Sequence, residues 1–178
     1  MQKKIKEILS WYPTLTTKQS ANFVKLMNFG RLGGSGKFVI LPVDQGFEHG
    51  PARSFFKNQD GFDPMYHAQL AINSGCNGYA APLGALESAF DLTSKKKLPT
   101  ILKLNNHDLM MPDHRDYIPA ITASIDDAVR LKAVAVGMTV YAGSANAREM
   151  YQQLRELVSD ARSAGLIVIV WMYPRGSG

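Results

Sequence analysis

Five apolar runs, at residues 38–46, 76–81, 99–105, 133–141 and 166–173, recur along the chain with helix-like or turn segments between them. Their spacing of roughly 25 to 35 residues is too long for hairpins and suits strand–helix–strand crossovers, so it predicts an α/β chain with a parallel sheet. No other feature restricts the fold as much.

The first run, Val39, Ile40, Leu41 and Val43, is apolar almost without interruption and predicts a strand covered on both faces. It ends in Asp44, and Gly46 lets the chain turn into a loop carrying Phe47, Glu48 and His49. Loops after the strands of parallel folds carry ligands, which makes Asp44 a working position; the plain alternative is that Asp44 caps the next segment.

Ahead of this strand, residues 1–35 hold Ile5, Ile8, Leu9, Phe23, Leu26 and Met27 at helical spacing, divided by Pro13. They predict two short helices packed on the outside, then a glycine-rich link through Gly30, Gly33, Gly34 and Gly36. Residues 36–178 form the second unit. In it Asp63-Pro64 opens a helix that Gly75 ends, a small helix covers about 84–91, Ser124 caps another, and residues 147–164 form the longest, stopped by Gly165.

Polar residues gather at strand ends. Lys103 and Asn105 share parity in the third run, and Trp171 and Tyr173 do so in the fifth. An ammonium among Ile101, Leu102 and Leu104 is costly unless paired, so Lys103 reaches either a polar site or a solvated edge. The stretch from Asn106 to Tyr117 is rich in His and Asp, but His107 and His114 are separated by a proline and share no helical face. It reads as a polar loop, and no metal site is expected.

Composition excludes several classes. The net charge is +5, yet the only compact basic run is Lys95-Lys96-Lys97, which suits a solvated loop better than a nucleic-acid surface. No stretch approaches the roughly 20 apolar residues of a membrane span, and the first residues do not build a signal-peptide core. A cytoplasmic protein is expected. The single cysteine, Cys76, lies in an apolar run and reads as packing.

The fifth run is followed only by a Pro174-Arg175-Gly176 turn and two further residues. A strand as apolar as Ile167 to Val170 would make an open edge, unless a doubly wound order buries it centrally. The expectation is a cut barrel.

Several motifs taken together carry a resemblance. They are Asn28-Phe-Gly-Arg-Leu32; Ile40-Leu-Pro-Val-Asp-Gln-Gly46 with Glu48-His49; Leu102-Lys-Leu-Asn105; Ala133-Val-Ala-Val-Gly137 with Tyr141; and Val170-Trp-Met-Tyr-Pro-Arg-Gly176. In this order they resemble the archaeal-type class I fructose-bisphosphate aldolases, which also occur in bacteria and have a (β/α)8 barrel. The resemblance implies that this chain supplies strands one to five of such a TIM barrel. It implies a reaction through a Schiff base between a lysine and the ketone of dihydroxyacetone phosphate, with no cofactor.

By the same likeness, Asp44 is the strand-one carboxylate that handles protons around the Schiff base. Tyr173 is the general acid/base, Trp171 the aromatic wall, and Lys103 a cation for substrate oxygens. His49, Asn105 and Arg175 fall to substrate binding. The family's Schiff-base lysine lies on strand six, past Gly178, and Lys103 matches the strand-three lysine instead, so residues 1–178 are expected to be inactive alone. The partner implied is a phosphorylated sugar, with a homo-oligomer expected. Two other readings stand: a related enzyme on another phosphorylated keto-sugar, and a non-catalytic remnant that binds sugar phosphate or a partner subunit.

Overall fold

A computed structural model describes residues 2–108 and 117–176. Helices α1 (Lys3–Ser10) and α2 (Thr17–Asn28) precede β1 (Ile40–Pro42). Three short helices follow: α3 (Gln45–Glu48), α4 (Pro51–Phe55) and α5 (Pro64–Ser74). Then come β2 (Gly78–Ala81), α6 (Leu83–Ser88), α7 (Phe90–Lys95), β3 (Thr100–Lys103) and a small ribbon of β4 (Asn105–Asn106) with β5 (Ala120–Ile121). Helix α8 (Ile125–Arg130), β6 (Ala135–Gly143), α9 (Ala147–Ala164) and β7 (Ile167–Gly176) complete it.

The local signals explain most boundaries. The Asp63 side chain accepts a hydrogen bond from the Met65 amide with Pro64 in the first helical position, and Gly75 closes α5 at φ +71°. Ser124 and Asp127 form a reciprocal capping box on α8. Gly165 ends α9 at φ +77°, a conformation that disfavours any residue with a Cβ.

The sheet runs β1-β2-β3-β6-β7 with every neighbouring pair parallel. A doubly wound sheet reverses its order at a switch point, whereas here spatial order follows chain order, as in a barrel wall. Side chains alternate across it. Tyr79, Ala81, Leu102 and Val136 face outward and pack with Ala68, Ala71, Leu86, Ala128 and Ala161 of the helices. Ala80, Ile101 and Ala135 face inward with Leu26. Burying each large apolar side chain of this kind contributes about 1.5–3 kcal/mol.

Four expectations need correcting. Strand β1 is not covered on both faces: Ile40 and Leu41 are half-buried and Pro42 is exposed, because β1 ends the sheet and has one strand neighbour among the described residues. The residues after Asp44 form two short helices rather than a loop. The small helix near 84–91 is two helices, α6 and α7. Helix α2 does not pack outside: Leu26 is 2% exposed within the inner-face cluster, so the helix plugs the amino-terminal end of the sheet.

Neutral side chains lock that plug in place. Asn77 accepts from the Val39 amide and donates to the carbonyls of Leu26 and Phe29, while Gln19 and Asn22 donate to the carbonyls of Leu166 and Gly165. The glycine-rich link is a series of turns in which Gly30, Gly34 and Gly36 have positive φ. Strand β7 stands at the other edge and becomes exposed toward Gly176.

Candidate active site

The carboxyl ends of β1, β3, β6 and β7 surround a cavity of about 190 Å³. Its lining includes Asp44, His49, Lys103, Trp171, Tyr173 and Arg175, six of the seven positions singled out from sequence. Asn105, the seventh, is fully buried next to it: its amide donates to the Thr139 carbonyl and accepts from the Thr139 amide, both at 2.8 Å. That geometry fastens β4, directly after β3, to β6.

Lys103 stands on a central strand and is 4% exposed, so the solvated-edge alternative does not apply. Its ammonium donates to Glu48 Oε1 and to the Asn105 carbonyl at 2.8 Å, and lies 3.3 Å from Asp44 Oδ2. Asp44 occupies the N-cap position of α3 yet makes no side-chain cap hydrogen bond, which removes the plain capping role. Its side chain is 21% exposed, and it lines the cavity.

The sequence marks Glu48 as a loop carboxylate within one of the motifs and assigns it no role. It is 6% exposed, contacts Lys103 directly and accepts from the His107 amide at 3.1 Å. Its four-residue offset from Asp44 was the available signal, since one helical turn places both carboxylates on one side. Tyr141, quoted only within a motif, also lines the cavity. Burial, with a smaller contribution from the Glu48 charge, pushes its hydroxyl up to about 12. Its ring lies 4.8 Å from that of Tyr117 and 6.0 Å from that of Tyr173.

Trp171 owes its place to a glycine. A Cβ built on Gly137 would sit 1.9 Å from the Trp171 ring, so the indole lies directly over the bare backbone of β6. The Arg175 guanidinium stacks 5.0 Å from the Tyr173 ring centroid. The same cavity wall carries two carboxylates, Asp44 and Glu48, and two cations, Lys103 and Arg175.

Asp44, Glu48 and His49 bring three possible metal ligands within 4.8 Å of one another. The Lys103 ammonium already pairs with both carboxylates, so the cation-binding capacity of this group is met by a side chain. The expected polar loop falls largely on residues 109–116, including His114, and lies outside the described residues. A larger cavity of about 630 Å³ between α8 and α9 is lined by Asp126, Glu156 and Asp160, a poor host for an anion. Cys76 is buried beside Ser74.

The DeoC/LacD family aldolase profile matches residues 38–178. The probable fructose-bisphosphate aldolase class 1 of Chlamydia muridarum is 41% identical over 151 residues, covering 85% of this chain and 43% of that protein. The fructose-bisphosphate aldolase class 1 of Thermoproteus tenax is 38% identical over 141 residues, covering 79% of this chain and 51% of that protein. The chain thus spans about half the length of these relatives. An archaeal fructose-1,6-bisphosphate aldolase, solved with its catalytic lysine bound to the carbinolamine intermediate of the substrate, superposes with a TM-score of 0.75 at 35% identity. That match covers 88% of this chain and 58% of the archaeal one. The curled parallel sheet corresponds to an incomplete (β/α)8 barrel, and the chain belongs to the DeoC/LacD aldolase family.

Proposed function

We propose that this chain carries the acid/base half of a class I, Schiff-base-forming fructose-bisphosphate aldolase. In the complete enzyme it cleaves fructose 1,6-bisphosphate to dihydroxyacetone phosphate and glyceraldehyde 3-phosphate. The observation that carries this reading is the convergence of Asp44, His49, Lys103, Trp171, Tyr173 and Arg175 on one cavity at the carboxyl ends of the strands. The relatives named class 1 fructose-bisphosphate aldolase support the same reaction.

In this reading the substrate ketone, held as an iminium on a lysine outside residues 1–178, draws electrons as the carbon–carbon bond breaks. Tyr173 takes the proton from the hydroxyl that becomes the aldehyde and returns one in the condensation direction. Asp44, on the wall of the same cavity, exchanges protons with the forming and collapsing carbinolamine. Trp171 packs against the substrate carbon chain. Lys103 and Arg175 supply fixed positive charge for substrate oxygens and phosphate, helped by His49. Asn105 acts at one remove, by holding β4, directly after β3, to β6. The complete enzyme is cytoplasmic and homo-oligomeric in this reading, and residues 1–178 alone do not turn over.

The test is intact-mass spectrometry after incubation with dihydroxyacetone phosphate and borohydride, which reduces a Schiff base to a stable adduct. The expected result is an adduct in the longer natural protein on a lysine beyond residue 178, and none on the 19.6 kDa chain. An adduct on Lys103 overturns the assignment, as does cleavage of fructose 1,6-bisphosphate by residues 1–178.

A further inference from the structure

Two carboxylates share one ammonium in this site, and they are not equivalent. Glu48 is 6% exposed, and its Oε1 accepts from both the Lys103 ammonium and the His107 amide. These contacts join points 55 and 59 residues apart in the chain. Asp44 is looser: its side chain is 21% exposed and its contact with Lys103 is 3.3 Å.

An ammonium has three protons to donate. Lys103 directs them to Glu48 Oε1 and the Asn105 carbonyl, with Asp44 Oδ2 at 3.3 Å and Asn106 Oδ1 at 3.5 Å sharing the remaining direction. Glu48 holds the Lys103 ammonium from the buried side. The outer carboxylate keeps acceptor capacity toward the cavity.

We propose that Glu48 is the positioning residue of this site: it holds Lys103 as a fixed cation and pins the His107 segment, leaving Asp44 as the carboxylate that faces substrate. The inference rests on the proposed function only for the use made of Asp44. Held by Glu48 and the Asn105 carbonyl, the Lys103 nitrogen is not free to turn toward a carbonyl carbon, so Glu48 withholds it from imine chemistry. Substitution Glu48→Gln separates the two tasks. It keeps an oxygen for the His107 amide and removes the charge that holds Lys103.

The experiment labels lysines with pyridoxal 5′-phosphate and borohydride and maps them by peptide mass spectrometry, with exposed Lys95 and Lys96 as internal standards. Lys103 is expected to be nearly unlabelled in the wild type. In E48Q its labelling relative to the standards rises by about tenfold, with a smaller rise in Glu48→Asp, while Asp44→Asn changes it by less than about twofold. Equal responses to E48Q and D44N, or no response to E48Q in a chain with native circular dichroism, overturn the proposal.

A second measurement needs no variant. In the wild type a through-hydrogen-bond NMR correlation is expected between Lys103 15Nζ and Glu48 13Cδ, and a correlation to Asp44 13Cγ alone overturns the assignment. Neither readout uses aldol turnover. Failure to act on fructose 1,6-bisphosphate leaves this result intact, and a negative result here leaves the proposed reaction standing.

Discussion

At the amino ends of the strands, helix α2 is held by uncharged amides. Gln19, Asn22 and Asn77 bond backbone groups there, and Leu26 fills the space between Ala80, Ile101 and Ala135. At the carboxyl ends of the same strands, buried neutral contacts such as Asn105 with Thr139 are joined by the charged contacts of Lys103 with Glu48 and Asp44. Neutral amides satisfy backbone groups with no net charge to desolvate, whereas a buried ion pair recovers its desolvation cost only with good geometry and further hydrogen bonds. The comparison separates an end that closes the structure from an end that keeps charge on the wall of a cavity.

The largest expected effect lies at the charged end. Lys103→Met leaves Glu48 buried without its cation and is expected to destabilise the chain by about 3–5 kcal/mol, read as a drop in the urea midpoint. A shift as small as that of an exposed pair would mean that the two ends do not differ in kind.

Leu26→Ala probes the opposite end. It removes inner-face packing and should cost about 2–4 kcal/mol in the same unfolding measurement, with the proposed binding of dihydroxyacetone phosphate unchanged. Weakened binding would show that the plug and the cavity are coupled.

Gly137→Ala falls between the ends. The new methyl displaces the Trp171 ring and should cost about 1–3 kcal/mol. The accompanying change in indole fluorescence is readable because the other tryptophan, Trp11, is 60% exposed. Unaltered Trp171 emission would place the ring elsewhere.

The smallest effect is a titration. The Tyr141 hydroxyl is raised to about 12 by burial, so the folded chain holds this proton more tightly than the unfolded one. Its stabilising contribution is complete below the ordinary tyrosine value of about 10 and is lost as pH rises through about 12. Tyrosinate absorbance near 295 nm should show a late step that Tyr141→Phe removes.

Much of the fold was legible in the chain because its signals are local. The five strands, the Asp63-Pro64 helix start, the Ser124 cap and the glycine stops at Gly75 and Gly165 each depend on backbone preferences within a few residues. The place of Asp44 at a strand end was equally readable, as was the shared parity of Trp171 and Tyr173. The roles of these residues came from motif likeness, not from periodicity.

Other features depend on partners far away in sequence. Leu26 reads as one apolar residue of an amphipathic helix, and only assembly decides whether that helix lies outside the sheet or plugs it. Gly137 reads as a weak point in a strand until Trp171 is laid across it. The short helix after Asp44 has too few residues to show a period, so the four-residue offset from Asp44 is the one local sign of Glu48, and it does not name Lys103 as the partner.

The amino-acid order alone thus determined where the five main strands and the capped helices lie, and which residues stand at the strand ends, because hydrogen-bonded turns, caps and side-chain alternation act over a handful of residues. Only the tertiary structure decided the insertion of Leu26 and the choice of Glu48 as the partner of Lys103, 55 residues away. Those depend on which buried surfaces and charges meet when the sheet curls, a matter of packing and desolvation across the whole chain.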